Sequence, residues 1–162
     1  MKRIFLTIAA GLVSTSAAYA SGDAEAGEKV YNKCKACHAI VDPSGEVIVK
    51  GGKVGPNLWG VLGHKAGSVE GFRYGASLVA AGEAGLVWTE DEMVKWLADP
   101  KGYLRDYLDD PAAKSKMTFK LSKGAEDVIA FLATFGPVME EEAEDGEDGE
   151  AGEEGSEKDD SY

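Results

Sequence analysis

Cysteine and histidine are scarce in this chain, two of each among 162 residues, beside four methionines. With only Cys34 and Cys37 to supply thiols, any sulfur chemistry must involve that pair. Long apolar runs are missing too. The run from Ile4 to Val13 falls short of the roughly 20 residues a membrane-spanning helix needs. Behind basic Lys2 and Arg3, and ahead of Ala18-Tyr19-Ala20, it reads as a secretory signal cleaved after Ala20, with no retained membrane anchor. Positive charge is lacking as well. A net charge of −12 gives no argument for nucleic-acid binding. The deficit sits at one end: Glu140 to Tyr162 holds thirteen acids and one lysine, whereas Ser21 to Met139 holds 14 basic and 16 acidic residues. The expected organisation is a signal over 1–20, one near-neutral domain over 21–139 and an acidic tail over 140–162. That tail has too few apolar residues to offset its ordering entropy and is expected to be disordered, a solubilising segment ahead of a docking one.

What is present is a compact motif, Cys34-Lys35-Ala36-Cys37-His38. Cys-x-x-Cys followed at once by histidine is the attachment signature of a c-type haem. Two thiols at this spacing can form thioethers to the vinyl groups on one porphyrin edge, and the adjacent imidazole becomes an axial ligand. The competing readings are a thioredoxin-like redox pair and a zinc half-site. Export does not separate haem from dithiol, because oxidising surroundings also permit a Cys34–Cys37 disulfide.

Around the motif the sequence predicts helices joined by long loops. Asp23 can cap a first helix with Ala24, Gly27, Val30 or Tyr31 and then Cys34 on one face, the motif lying at its C-terminal end. Glycine inside a helix costs up to about 1 kcal/mol relative to alanine, so Gly27 on that face points to close approach of another helix. From Ile40 to Leu86 glycine is frequent and periodic runs are few. Asp42-Pro43-Ser44-Gly45 and Gly51-Gly52 read as turns, Glu46 to Lys50 as briefly extended, and Tyr74 to Ala84 as a short helix. Such a stretch argues against a compact domain unless a bound macrocycle substitutes for protein core. Thr89 to Glu92 forms a capping box for a helix carrying Met93, Trp96 and Leu97, ended by Asp99-Pro100. Tyr103, Leu104, Tyr107 and Leu108 pair in a further helix stopped before Pro111. Ser122 opens a last helix with Val128, Phe131, Leu132 and Phe135 on one face, closed by Gly136-Pro137.

For a second iron ligand the chain offers His64 and few methionines. Met93 belongs to an apolar helix face and Met139 borders the tail. Met117, in Ala113-Lys-Ser-Lys-Met117-Thr-Phe-Lys120, has no helical stripe to explain it and is the better candidate, with a core gap-filler as its ordinary alternative.

These residues, with Gly55-Pro56-Asn57-Leu58-Trp59-Gly60, Gly71-Phe72-Arg73-Tyr74, Trp88, Lys116-Met117-Thr118-Phe119 and Asp127-Val-Ile-Ala-Phe-Leu132, resemble the class I cytochromes c. The resemblance is to the soluble bacterial c-two and c-550 type and runs from Gly22 to about Phe135. It implies an all-α fold of helices and long loops around one covalent haem c. It also implies His38 and Met117 as axial ligands, and a Pro56 carbonyl that orients His38. Gly27 and Tyr31 would meet Val128 and Phe131. Tyr74 and Trp88 would hydrogen-bond a propionate, and Trp96 and Tyr103 would pack around the ring.

Two departures stand out: His64 where relatives carry arginine, which would make the reduction potential follow pH near neutrality, and a longer segment from Leu104 to Lys114. The function implied is a monomeric periplasmic one-electron carrier, not an enzyme. Its donor would be a cytochrome bc-type complex, and its acceptor a cytochrome oxidase, a photosynthetic reaction centre or a periplasmic reductase. Lys33, Lys35, Lys114, Lys116, Lys120 and Lys123 would form a basic rim that steers it to acidic partners. A five-coordinate haem peroxidase or gas sensor, and a thiol–disulfide enzyme lacking its βαβ context, are the alternatives.

Overall fold

A computed structural model describes residues 22–136; the signal expected over 1–20 and the tail over 140–162 lie outside them. Five helices carry the fold: α1 (Ala24–Tyr31), α2 (Ala76–Glu83), α3 (Glu90–Ala98), α4 (Pro100–Tyr107) and α5 (Ala125–Ala133). A small antiparallel pair, β1 (Ile40–Val41) and β2 (Val47–Val49), lies between α1 and α2. The extended reading of 46–50 is therefore half of a hairpin, whose partner strand is too short to leave a sequence pattern. Val41 pairs with Val47 and Ile40 with Val49 across an irregular register.

The two ends of the described chain are clasped together. Asp23 caps α1, its carboxylate accepting from the Glu25 and Ala26 amides, while its own amide donates to Asp127 Oδ1 of α5 at 2.9 Å. One aspartate on each helix thereby fixes the crossing. At the crossing, Gly27 lies against α5 so closely that a Cβ there would fall 1.9 Å from the Asp127 carbonyl oxygen and 2.8 Å from Phe131 Cβ. Tyr31 is fully buried, its ring 5.4 Å from that of Phe131. Val128 is buried in the same core. The helix-breaking residue is thus the one that permits the contact.

Three helix boundaries differ from the expectation. α1 stops at Tyr31, and the chain continues to His38 as turns closed by bonds such as His38 N–H to Cys34 O at 2.9 Å. The last helix starts behind Gly124, which has φ +79°, and not at Ser122. Asp99-Pro100 ends α3 but also begins α4: the Asp99 carboxylate accepts from the Gly102 amide, and Pro100 occupies the first turn, where a missing N–H costs nothing.

Replacing Gly27 with alanine is expected to destabilise the protein by about 1–3 kcal/mol, because the Cβ must displace backbone. Guanidinium unfolding of the haem-loaded protein measures it, and an unchanged midpoint would contradict the close crossing.

Candidate haem site

The site begins with the imidazole of His38. Its Nδ1 lies 2.8 Å from the Pro56 carbonyl oxygen. A carbonyl only accepts, so Nδ1 carries the proton and Nε2 keeps its lone pair. Burial holds the His38 pKa below its ordinary value, against the opposing pull of the Pro56 contact. The ring is neutral at neutral pH, the form that binds metal.

Pro56 is presented by a loop moulded onto the motif backbone. The Gly52 amide donates to Lys35 O and the Gly55 amide to Cys37 O, both at 2.8 Å. A Cβ on Gly51 would sit 1.9 Å from His38 O, one on Gly52 2.3 Å from Ala36 O, and one on Gly55 2.3 Å from His38 Cε1. Side chains are excluded at all three positions, so the loop is legible only as glycine density. Asn57 locks the far side. Its Oδ1 accepts from the Val41 amide at 2.9 Å and the Trp59 amide at 3.2 Å, and its Nδ2 donates to Val41 O at 2.7 Å. It acts as an extra rung on β1.

Cys34 is half-buried and Cys37 exposed, and neither thiol is in a disulfide. Burial pushes the Cys34 thiol up, with Lys33 opposing. Met117 is half-buried and, like Cys34, packs against the main core. Its backbone is clamped by Ser115, whose Oγ donates to Met117 O at 2.9 Å and accepts from Met117 N at 3.1 Å. The segment around it is strapped down at several points. Lys114 N donates to Ser77 Oγ, Lys116 Nζ to Arg73 O, and Leu121 N to Leu97 O. Lys120 pairs with Asp99 at 2.7 Å. The longer segment before it is also tied in, with Arg105 Nε donating to Ala113 O at 3.4 Å.

The aromatic residues form a ladder. Trp88 and Trp96 are 5.3 Å apart, Trp96 and Tyr103 6.1 Å, and Tyr103 and Tyr107 5.8 Å, centroid to centroid. The Tyr103 hydroxyl donates to Glu92, which also pairs with Lys95 at 2.7 Å. Burial first, and then Glu92, pushes the Tyr103 phenol well up. Tyr74 stands apart from the ladder, edge-on to Phe72 at 4.7 Å. His64 is exposed and meets Trp88 through backbone, its carbonyl accepting from the Trp88 amide at 2.9 Å. Sequence reasoning missed the supporting roles of Ser115 and Asn57, the latter named only within its motif, and took Gly51-Gly52 simply as a turn. Short polar side chains in turns signal nothing distinctive in a single sequence.

The donor set fits a c-type haem: two free thiols, a neutral imidazole with Nε2 available, and a thioether on an anchored loop. No protein-family model matches the chain. It is 56% identical over 134 residues to cytochrome c-551 of Roseobacter denitrificans, covering 83% of this chain and 96% of that protein. It is 51% identical over 134 residues to cytochrome c2 of Rhodobacter capsulatus, covering 82% and 97%. The structure of ferric cytochrome c-550 from Paracoccus versutus superposes with a TM-score of 0.70 at 52% identity, over 72% of this chain and all of that one. The chain belongs to the class I cytochromes c of the bacterial c2 and c-550 type. It is an electron-transfer protein, not an enzyme, and carries one covalently attached c-type haem.

The hydrogen bond from Lys95, and then that from Tyr103, hold the Glu92 carboxyl below its usual range. A depressed folded-state value stabilises the fold above the unfolded pKa of about 4.3 and loses that contribution as pH falls through the folded value. Glu92→Gln is therefore expected to cost up to about 1 kcal/mol near pH 7, the clamp being partly exposed. The difference from the parent protein should close below about pH 4. Unfolding midpoints across pH read it, and a gap that widens in acid would contradict the assignment.

Proposed function

We propose that the protein is a periplasmic one-electron carrier, exported by a signal cleaved after Ala20. In this reading Cys34 and Cys37 are the covalent anchors, and His38 and Met117 the axial ligands. The observation that carries it is the His38 Nδ1–Pro56 O contact of 2.8 Å, which fixes tautomer and ring direction before any metal binds. When bound, the haem supplies the reversible Fe(II)/Fe(III) couple.

The chain does the rest by holding still. Pro56 keeps the proton on His38 Nδ1 in both oxidation states, and the glycine loop prevents the ring from rotating. Ser115 and the Lys116, Lys120 and Leu121 tethers hold the Met117 backbone against the core. The buried faces of Trp88, Trp96 and Tyr103 exclude water, and a dry, rigid surrounding keeps reorganisation small. Tyr74 and Trp88 are assigned to the propionates, and Trp96 and Tyr103 to ring packing. The donor is a cytochrome bc-type complex. The acceptor is a cytochrome oxidase, a photosynthetic reaction centre or a periplasmic reductase. No helix among the described residues is long and apolar enough to cross a membrane.

Met117→Ala is expected to open one iron position. The reduced variant should bind carbon monoxide where the parent does not, and its potential should fall by on the order of 0.1 V. A parent protein that binds carbon monoxide at once would overturn the closed site. At the rim, Lys116 donates to Arg73 O and Lys120 is paired with Asp99. Replacing the exposed Lys33 and Lys123 of the same rim with glutamine, which leaves those two tethers in place, should slow reduction of an acidic partner by several-fold at low ionic strength and hardly at all near 0.5 M salt. Stopped-flow rates equal to the parent's at every salt concentration would refute steering.

A further inference from the structure

The positive charge around Cys37 and the point where the chain leaves the described fold are joined by one loop. Gly52 N donates to Lys35 O at 2.8 Å, and Gly51 lies against the Lys35 and His38 carbonyls. The flanking Lys50 and Lys53 are therefore brought to the Lys35 backbone, two residues from Lys33. Lys33, Lys50 and Lys53 are exposed and Lys35 is half-buried. The two ion pairs among the described residues are Lys95–Glu92 and Lys120–Asp99, and neither uses any of the four. The nearby Asp42 is occupied by its own turn, accepting from Ser44 Oγ and the Glu46 amide.

The end of α5 is tied to the same loop. Gly60 N donates to Phe135 O at 2.9 Å, and Gly136 packs directly on Gly60. The chain thus leaves the described fold seven residues along the backbone from Lys53. The first acid of the tail, Glu140, is four residues further on, a reach of up to about 14 Å. Thirteen acids follow within 140–162. The 26 residues beyond Gly136 can extend to about 90 Å, against a radius of gyration of about 13 Å for a domain of this size. Length sets no limit. Tethering supplies an effective concentration in the millimolar range, so weak contacts suffice.

We propose that residues 140–162 dock in cis on the face formed by Lys33, Lys35, Lys50 and Lys53, covering the surface around the exposed Cys37. The occupant is this chain's own tail, matched to the face by opposite charge and by the place where the chain leaves the fold. The docking does not depend on the carrier reading. Its consequence does: there the tail competes with the acidic surface of a redox partner.

The test uses haem-loaded protein with and without residues 140–162, acetylated by N-hydroxysuccinimide acetate and read lysine by lysine by mass spectrometry. Removing the segment leaves all of the described residues 22–136 in place. A second, full-length variant with every Asp and Glu of 140–162 changed to its amide guards against any effect of shortening. At about 20 mM salt Lys33, Lys35, Lys50 and Lys53 should react at least about two-fold more slowly in the full chain than in either variant. The difference should vanish near 0.5 M salt, and a synthetic peptide of residues 140–162 should restore it to the shortened protein. Equal rates in all three proteins, equal protection of every lysine, or protection that persists in high salt would each overturn the proposal. Protection that grows with protein concentration would assign the tail to a second copy and overturn docking in cis.

Discussion

The contact on which the site depends is the hydrogen bond from His38 Nδ1 to the carbonyl of Pro56. It decides which nitrogen is available, and it exists only because Gly51, Gly52 and Gly55 let the loop lie on the motif backbone. That loop is held in turn by Asn57 against β1 and by Phe135 O against Gly60. A single imidazole is therefore oriented by residues spread over almost a hundred positions. This is the geometry expected of a rigid site, where the groups that support a ligand are fixed as firmly as the ligand itself.

The segment around Met117 uses a different device. Met117 lies in a segment without regular structure, but one tied at each end to helices by backbone and lysine bonds. Asp99 is central there, because it caps α4 and pairs with Lys120. The helix corner and the strap form one mechanical unit. The Trp88–Trp96–Tyr103 ladder is anchored through Glu92. Two surfaces built by unlike means, a glycine-moulded loop and a polar-tethered strap, serve the same purpose of restricting movement.

Much of this was legible in the sequence, and for identifiable reasons. The helices announced themselves through Asp23, Thr89 and the apolar stripes of α3 and α5. Gly27 was visible as an anomaly because a helix interior penalises it. The Cys34–His38 motif was readable because its chemistry demands fixed spacing. β1 was not readable, since two residues carry no period, and its outer partner is Asn57 from a separate loop. Ser115 was missed because a serine in a turn looks the same whether or not it clamps its neighbour. The start of α5 was misplaced because Ser122 resembles a cap, whereas Gly124 takes the left-handed conformation at the actual boundary.

The clasp between α1 and α5 also governs how the chain can acquire its shape. Asp23 and Asp127 are 104 residues apart in sequence. Closing a loop of that length carries a length-dependent entropy cost of about 4 kcal/mol. α1 cannot repay it with local contacts, because its buried face, Gly27 and Tyr31, has its partners on α5. The clasp is thus a non-local contact, of the kind whose closure cost must be met before any reward is gained. Among the described helices α1 is the first in the chain and α5 the last. The fold cannot close until its last helix has been made.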